Sequence, residues 1–418
     1  MRSGLALAVS GTICWLCLSA AGGGEATRSI WERETLTDNW FGAGEALADK
    51  GLSFQCALLQ TYQVNVHGGR STDSDEGRYQ GRYDLEFKAD LEKLAGLTGG
   101  SLYASARGGW TPGIGPTSVG GLFDVNGTAY GDNPIVLRQL YYEQNLLDRR
   151  IRIRVGRVDL TGGFECRGCK VSFDGNRFAN DEGCQFLNAS LVNNPTIPFP
   201  AIGMGAMVHV EPVEGWYVTV GAADANAVGT RSGFDTAFGS PGEFFSIYET
   251  GVVPEFPSAQ GPLAGAYRVG FWIDPRARER FRGGTERDTV GFYTSCDQML
   301  WRAGGGKDAG QGLGAFARYG LADADVSAVK NFWSAGLQYQ GLLPGREKDV
   351  LAAGVGSGGI SRQSELPASR ETVIEAYYNI AVTPWLHVAP DVQYILHPGG
   401  QTSVDDAVVV GVRVQMSF

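Results

Sequence analysis

The sequence predicts an all-β fold, a transmembrane antiparallel up-and-down β-barrel of sixteen strands with a short N-terminal helical segment and long extracellular loops. Three observations carry that expectation. The last strand alternates, with Val408, Val410, Val412, Val414, Met416 and Phe418 on one side and Ala407, Gly411, Arg413, Gln415 and Ser417 mainly on the other. Tyr83, Leu85, Phe87, Ala89 and Leu91 alternate in the same way with Asp84, Glu86, Lys88 and Asp90, giving one apolar and one charged face. Strand side chains repeat every two residues, so one segment can carry both a lipid-facing and a water-facing row. Past the N-terminus, moreover, no run of roughly 18 apolar residues is long enough for a spanning helix. The 61 glycines, 11% aromatics and mean hydropathy of −0.12 fit strands whose lipid face is averaged away by their wet face.

Residues 1–26 read as a secretory signal: Arg2, an apolar stretch from Leu5 to Leu18, then small residues, with cleavage near 21–26. Residues 27–51 read as an N-terminal periplasmic segment and 52–418 as the barrel. Within it, alternating segments fall at 52–67, 81–93, 100–110, 135–147, 151–159, 203–212, 215–224, 263–274, 289–300, 311–321, 331–341, 349–357, 370–381, 384–396 and 406–418. That is one short of an even number, which a barrel with both termini on one side requires. The sixteenth is expected within 160–200 or 225–262, which are too long for idle loops. Leu94 to Thr98, Asp148 to Arg150 and Thr383 to Trp385 read as short periplasmic turns.

A net charge of −10 and a pI near 5.0 argue against a nucleic-acid partner. Five cysteines follow the signal; Cys166, Cys169 and Cys184 crowd one stretch where an oxidising compartment permits a disulfide. A metal at Cys166 and Cys169 lacks a second pair or a nearby His. Asp73, Asp75 and Glu76, and Asp323 with Asp325, offer oxygen ligands without EF-hand spacing, so neither a metal nor another cofactor is expected.

Several stretches carry a family resemblance. They are Leu36-Thr37-Asp38-Asn39-Trp40-Phe41-Gly42-Ala43 with Leu47 to Gly51, then Asp84-Leu85-Glu86 through Asp90 to Leu94, and Phe292-Tyr293 with Asp297 to Leu300. Ala335-Gly336-Leu337 with Gly341 to Arg346 follows, and then the hairpin Glu375 to Ile380 through Thr383-Pro384-Trp385 to Pro390–Tyr394 and Pro398-Gly399-Gly400. Together these resemble the OprB-type carbohydrate-selective porin family. The opening departs from the family pattern: no glycine follows Leu36-Thr37, and Gly44 stands where an Arg is usual. The resemblance implies a sixteen-stranded outer-membrane barrel that passes sugars down their gradient through a constriction of inward loops and charged residues.

A diffusion pore needs a wet lumen and polar contacts weak enough to release the solute. Parity nominates its lining. If Ile151, Ile153 and Val155 face lipid, Arg152 and Arg154 face inward, since an Arg at the lipid midplane costs about 2–4 kcal/mol. The same reasoning turns Arg107, Arg268, Arg318 and Arg413 inward, with Glu375, Asn379, Asp391 and Gln393 as acceptors and amides. The arginines favour neutral or anionic solutes. The stretch Phe164 to Phe199, with Arg167, Lys170, Asp174, Asn176, Arg177, Asn180 and Asp181, suits either an inward constriction loop or an external one. Trp385 reads as an interfacial girdle residue, whereas Trp110 and Trp301 are placed near outer strand ends.

The expected partners are small sugars, outer-membrane lipid and lipopolysaccharide, and the barrel-assembly machinery through Phe418, with a monomer or homotrimer as the state. Alternatives are a pore for organic acids or other small anions, a secreted glycan-binding β protein, and a barrel enzyme. The four histidines, His67, His209, His387 and His397, sit in no recognisable catalytic context, so no catalytic residue is assigned.

Overall fold

The structure is a computed structural model that describes residues 28–72, 77–166, 169–229, 233–239, 242–303 and 311–418. Residues 1–27 (which include the stretch expected to be a signal), Arg167, the acidic run at Asp73–Glu76 and the side chain of Lys170 lie outside what is described.

Sixteen strands form the wall: β1 Leu52–Gly69, β2 Arg78–Asp90, β3 Gly100–Trp110, β4 Val136–Leu146, β5 Ile151–Val158, β6 Gly203–Val213, β7 Trp216–Asp224 and β8 Phe244–Val252. They continue as β9 Leu263–Asp274, β10 Thr289–Arg302, β11 Gly312–Leu321, β12 Val329–Gln340, β13 Val350–Ile360, β14 Arg370–Thr383, β15 Leu386–Leu396 and β16 Asp405–Ser417. Each pairs antiparallel with its sequence neighbours, and β1 pairs with β16, Thr61 opposite Arg413, to close the barrel and leave no free edge. Ser417 and the start of β1 lie at the same end, here called the lower end, which carries the two-residue connections between β6 and β7 and between β14 and β15.

The strand that the alternation did not resolve is β8, within the expected 225–262 interval. Its pattern is blurred because Phe245 and Ile247 are buried on the inside while Ser246 and Thr250 face out. Elsewhere the apolar rows lie on the outer surface: Val155, Leu337, Ile374 and Val392 are all exposed, with no second layer over them among the described residues. A closed barrel satisfies every strand amide internally, which is what hydrocarbon demands.

Two tryptophan placements change. Trp301 is exposed on the outer surface but sits near the end of β10, at the lower end, opposite to the outer end expected for it. The reason is strand direction: with β8 inserted, β10 runs downward. Trp385 is buried under residues 28–51, its Nε1 donating to the Ile30 carbonyl at 2.8 Å. Cys184 is a free thiol. The side chains of Cys166 and Cys169 lie outside the described residues, though their backbones pair in a short hairpin.

Candidate functional site

Two upper connections turn into the barrel. Residues 111–135, between β3 and β4, carry Ile114, Val119, Phe123 and Val125, which pack on Phe332, Val373, Ile395, Ala407 and Val409 of the wall. Residues 159–202, between β5 and β6, carry two apolar sets. Phe164, Phe173 and Ile197 pack on Met207, Phe245, Trp272 and Tyr293, and Phe178, Phe186 and Leu191 pack on Met299, Phe316, Ala352 and Tyr377. Inward glycines seat these rings. A Cβ at Gly314 would lie 2.2 Å from Phe178 Cζ, and one at Gly358 2.5 Å from Phe123 Cζ. Much of the inner surface is therefore packed protein.

A loop buried this way must satisfy its own backbone. The 159–202 loop does so with repeated Asx turns: Asp159, Asn176, Asn188 and Asn194 each accept from the amide two residues ahead, at 2.9, 2.8, 3.1 and 3.1 Å.

All ten residues nominated by parity sit on the inner side, and nine of them lie outside the cavity described below, held by loops, wall side chains or each other. Glu375 is fully buried and accepts from the amides of Leu187 and Asn188. Arg413 donates to the Glu182 carbonyl at 2.8 Å, Arg318 to the Leu191 carbonyl at 2.6 Å, and Asn379 to the Cys184 carbonyl at 2.9 Å. Gln393 accepts from Asn188 at 3.0 Å and donates to Asp391 at 3.0 Å and to the Val125 carbonyl at 2.8 Å, which ties both loops together. Arg268 pairs with Asp297 at 3.1 Å and reaches the Gly175 carbonyl. Arg154 pairs with Glu143 at 2.7 Å and lies over the Phe164 ring, as does the buried Arg152.

Arg107 is the tenth, and it lines a cavity of about 850 Å³ left between the loops and the β1–β4 arc. Four arginines, Arg82, Arg107, Arg138 and Arg177, face that cavity with five carboxylates, Asp84, Glu86, Asp159, Asp181 and Glu182. The arginine excess expected from parity is thus absent around the cavity, because acidic residues on the loop and on β2 join the lining. Arg82 bridges the two sides, donating to Asp84 at 3.0 Å on its own strand and to Glu182 at 2.9 Å on the loop; Arg107 also pairs with Asp84. Arg138 pairs with Asp159 at 3.3 Å. Arg177 is exposed, stands 5.8 Å from its neighbour's Phe178 ring, and makes no ion pair among the described residues. Tyr103 lies on the same wall, stacked on Tyr141 at 5.0 Å with its hydroxyl beside Glu86 and Ser105.

Parity had the means to find Arg82, two positions before Asp84 on the charged face of β2. Arg138 was hidden by a bulge, where Ser105 faces Gln139 and Ala106 faces Leu137. Glu182 and Arg177 lie on a loop, where no period applies. Burial alone would raise the Glu182 carboxyl, but the Arg82 and Arg107 cations more than offset it and hold it below the ordinary glutamate value. Asp174 goes the other way. Burial pushes it up to about 7 although Arg318 stands 3.5 Å away. At the upper end, Asp323 and Asp325 meet Glu286, but Arg280 pairs with Glu286 at 2.9 Å, so the cluster is already partly neutralised.

Comparison with known proteins decides the family: residues 74–418 match the model for "Carbohydrate-selective porin, OprB family". The chain belongs to the OprB family. Porin B of Pseudomonas aeruginosa is 24% identical over 452 residues, covering 97% of each chain. Porin AaxA of Chlamydia muridarum is 25% identical over 287 residues, covering 68% of this chain and 56% of that protein. Among solved structures, the high-pH structure of Pseudomonas putida OprB superposes with a TM-score of 0.77 at 22% identity, over 94% of this chain and 100% of that one. The chain is therefore a carbohydrate-selective porin of the OprB family and an outer-membrane β-barrel, not an enzyme.

Proposed function

We propose that small neutral sugars diffuse passively through the cavity between the 159–202 loop and the β1–β4 arc. The mixed charge of the lining is the observation that carries this reading: four guanidiniums and five carboxylates line one cavity. A sugar offers many hydroxyls, each able to donate and accept, and such a surface serves both ends of each hydroxyl without attracting net charge. Tyr103 adds a ring face for the apolar side of a pyranose. Arg107, Arg82 and Arg177 act in the pathway, while Glu375, Gln393, Arg318 and Arg413 hold the loops that narrow it. Lipopolysaccharide around the upper rim, assembly through Phe418, and a monomeric or trimeric state complete the proposal.

A second reading, a pore for small organic anions, is favoured by Arg177, which makes no ion pair among the described residues. Liposome swelling separates the two. Glucose and a matched zwitterionic amino acid, with gluconate as the anion, are supplied at equal osmolarity. Sugar entry clearly faster than both others supports the sugar reading; gluconate entering fastest replaces it with the anion reading.

A further inference from the structure

We infer that residues 30–47 form a lipid-contacting belt around part of the lower rim, seated in the phospholipid leaflet that borders the periplasm. The segment is tied to the rim at successive points. The Ile30 carbonyl accepts from Trp385 at the β14–β15 turn, and the Leu36 amide donates to the Ser417 carbonyl of β16 at 2.8 Å. Trp40 Nε1 donates to the Phe54 carbonyl of β1 at 3.3 Å, and the Ala48 carbonyl accepts from Lys93 beyond β2 at 3.0 Å. Phe54 is an outward, exposed residue, and the Trp40 ring lies 4.9 Å from it, so at that point the segment lies on the lipid side of the wall.

Having packed Trp40 down, the segment turns other large apolar groups away from the protein. Trp31 is 67% exposed and Phe41 84%, with Leu47 exposed beside them. Apolar groups left open like this call for a cover. The cover is identified by what continues the belt: Leu97, Leu147, Phe256 and Leu343 are exposed on other lower connections and Val213 at the lower end of β6, on different sides of the barrel. A second copy of the chain would cover one flank. A bilayer covers a ring, and Trp and aliphatic groups beside charged neighbours such as Arg28, Arg33 and Glu45 suit the headgroup boundary.

The test uses the full protein in phosphatidylethanolamine–phosphatidylcholine vesicles, with the five cysteines after the signal changed to Ser. Nitroxide labels are placed singly at Phe41→Cys or Glu45→Cys, and power saturation is measured with oxygen and with a nickel chelate. The Phe41 label should read as oxygen-accessible and nickel-protected, at a depth of about 5–10 Å, and the Glu45 label as aqueous. Equal nickel access at both positions would overturn the proposal, as would spin–spin broadening at position 41 that disappears on dilution with unlabelled protein, which would put a second copy there. In the chain with its native cysteines, Trp31→Ser with Phe41→Ser should speed proteolysis within residues 28–50 on vesicles while leaving sugar swelling rates unchanged. An unchanged cleavage rate would count against the belt without touching the transport reading.

Discussion

On the β1–β4 side of the barrel, Arg82, Asp84, Glu86 and Arg107 meet a cavity; on the β11–β16 side, Arg318, Glu375, Gln393 and Arg413 meet loop backbone. The residue types are the same and so is their inward direction. What differs is which partner occupies the space in front of them. Beside the cavity, Arg107 pairs with Asp84 and Arg82 is held between Asp84 and Glu182, so both add charge to an open lining. Against the folded-in loop, Arg318 and Arg413 are buried and donate to loop carbonyls, which fixes the loop. A substitution should therefore change permeation on the first side and stability on the second.

The largest expected effect is on the packed side. Glu375→Ala strips the acceptor from the buried amides of Leu187 and Asn188, each costing about 1–3 kcal/mol when left unsatisfied. The urea midpoint should fall, and single-channel conductance should rise as the loop loosens. A wild-type midpoint with wild-type conductance would show that Glu375 holds nothing.

Next in size is a pH effect within the same loop. Asp174, raised by burial from 3.8 to about 7, keeps its proton better in the folded than in the unfolded chain. Its contribution to stability is complete below its ordinary value and is lost as pH rises toward about 7, at up to about 1.4 kcal/mol for each pH unit crossed. Unfolding midpoints of wild type should drop between pH 5 and pH 8 relative to Asp174→Asn. Parallel pH profiles for the two proteins would remove Asp174 as the cause.

The smallest effect sharpens the contrast directly. Arg107→Gln removes a cation from the cavity lining and should move the zero-current potential in a salt gradient by a few millivolts toward cation preference, with little loss of stability. Arg413→Gln should lower the unfolding midpoint and leave that potential in place. Equal shifts in both variants would mean that the packed side also faces the pathway. Arg152 and Arg154, the first pair that parity turned inward, fall with Arg413 in this comparison, because Phe164 covers them.

Alternation alone determined the barrel, its lipid face, and the inward direction of all ten nominated side chains, because a strand has a period of two and hydrocarbon rejects charge. It failed at β8, where loop packing put Phe245 and Ile247 on the inside, and at Arg138, where a bulge added one residue to the count. Only the tertiary structure decided which inward groups meet water. That depends on where Phe123, Phe178 and Phe186 dock, a choice made by glycine-lined seats and buried carboxylates far away in sequence. No local period encodes contacts at separations such as Glu375 to Leu187, so the same sequence pattern on two strands can mean a cavity wall on one and a loop clamp on the other.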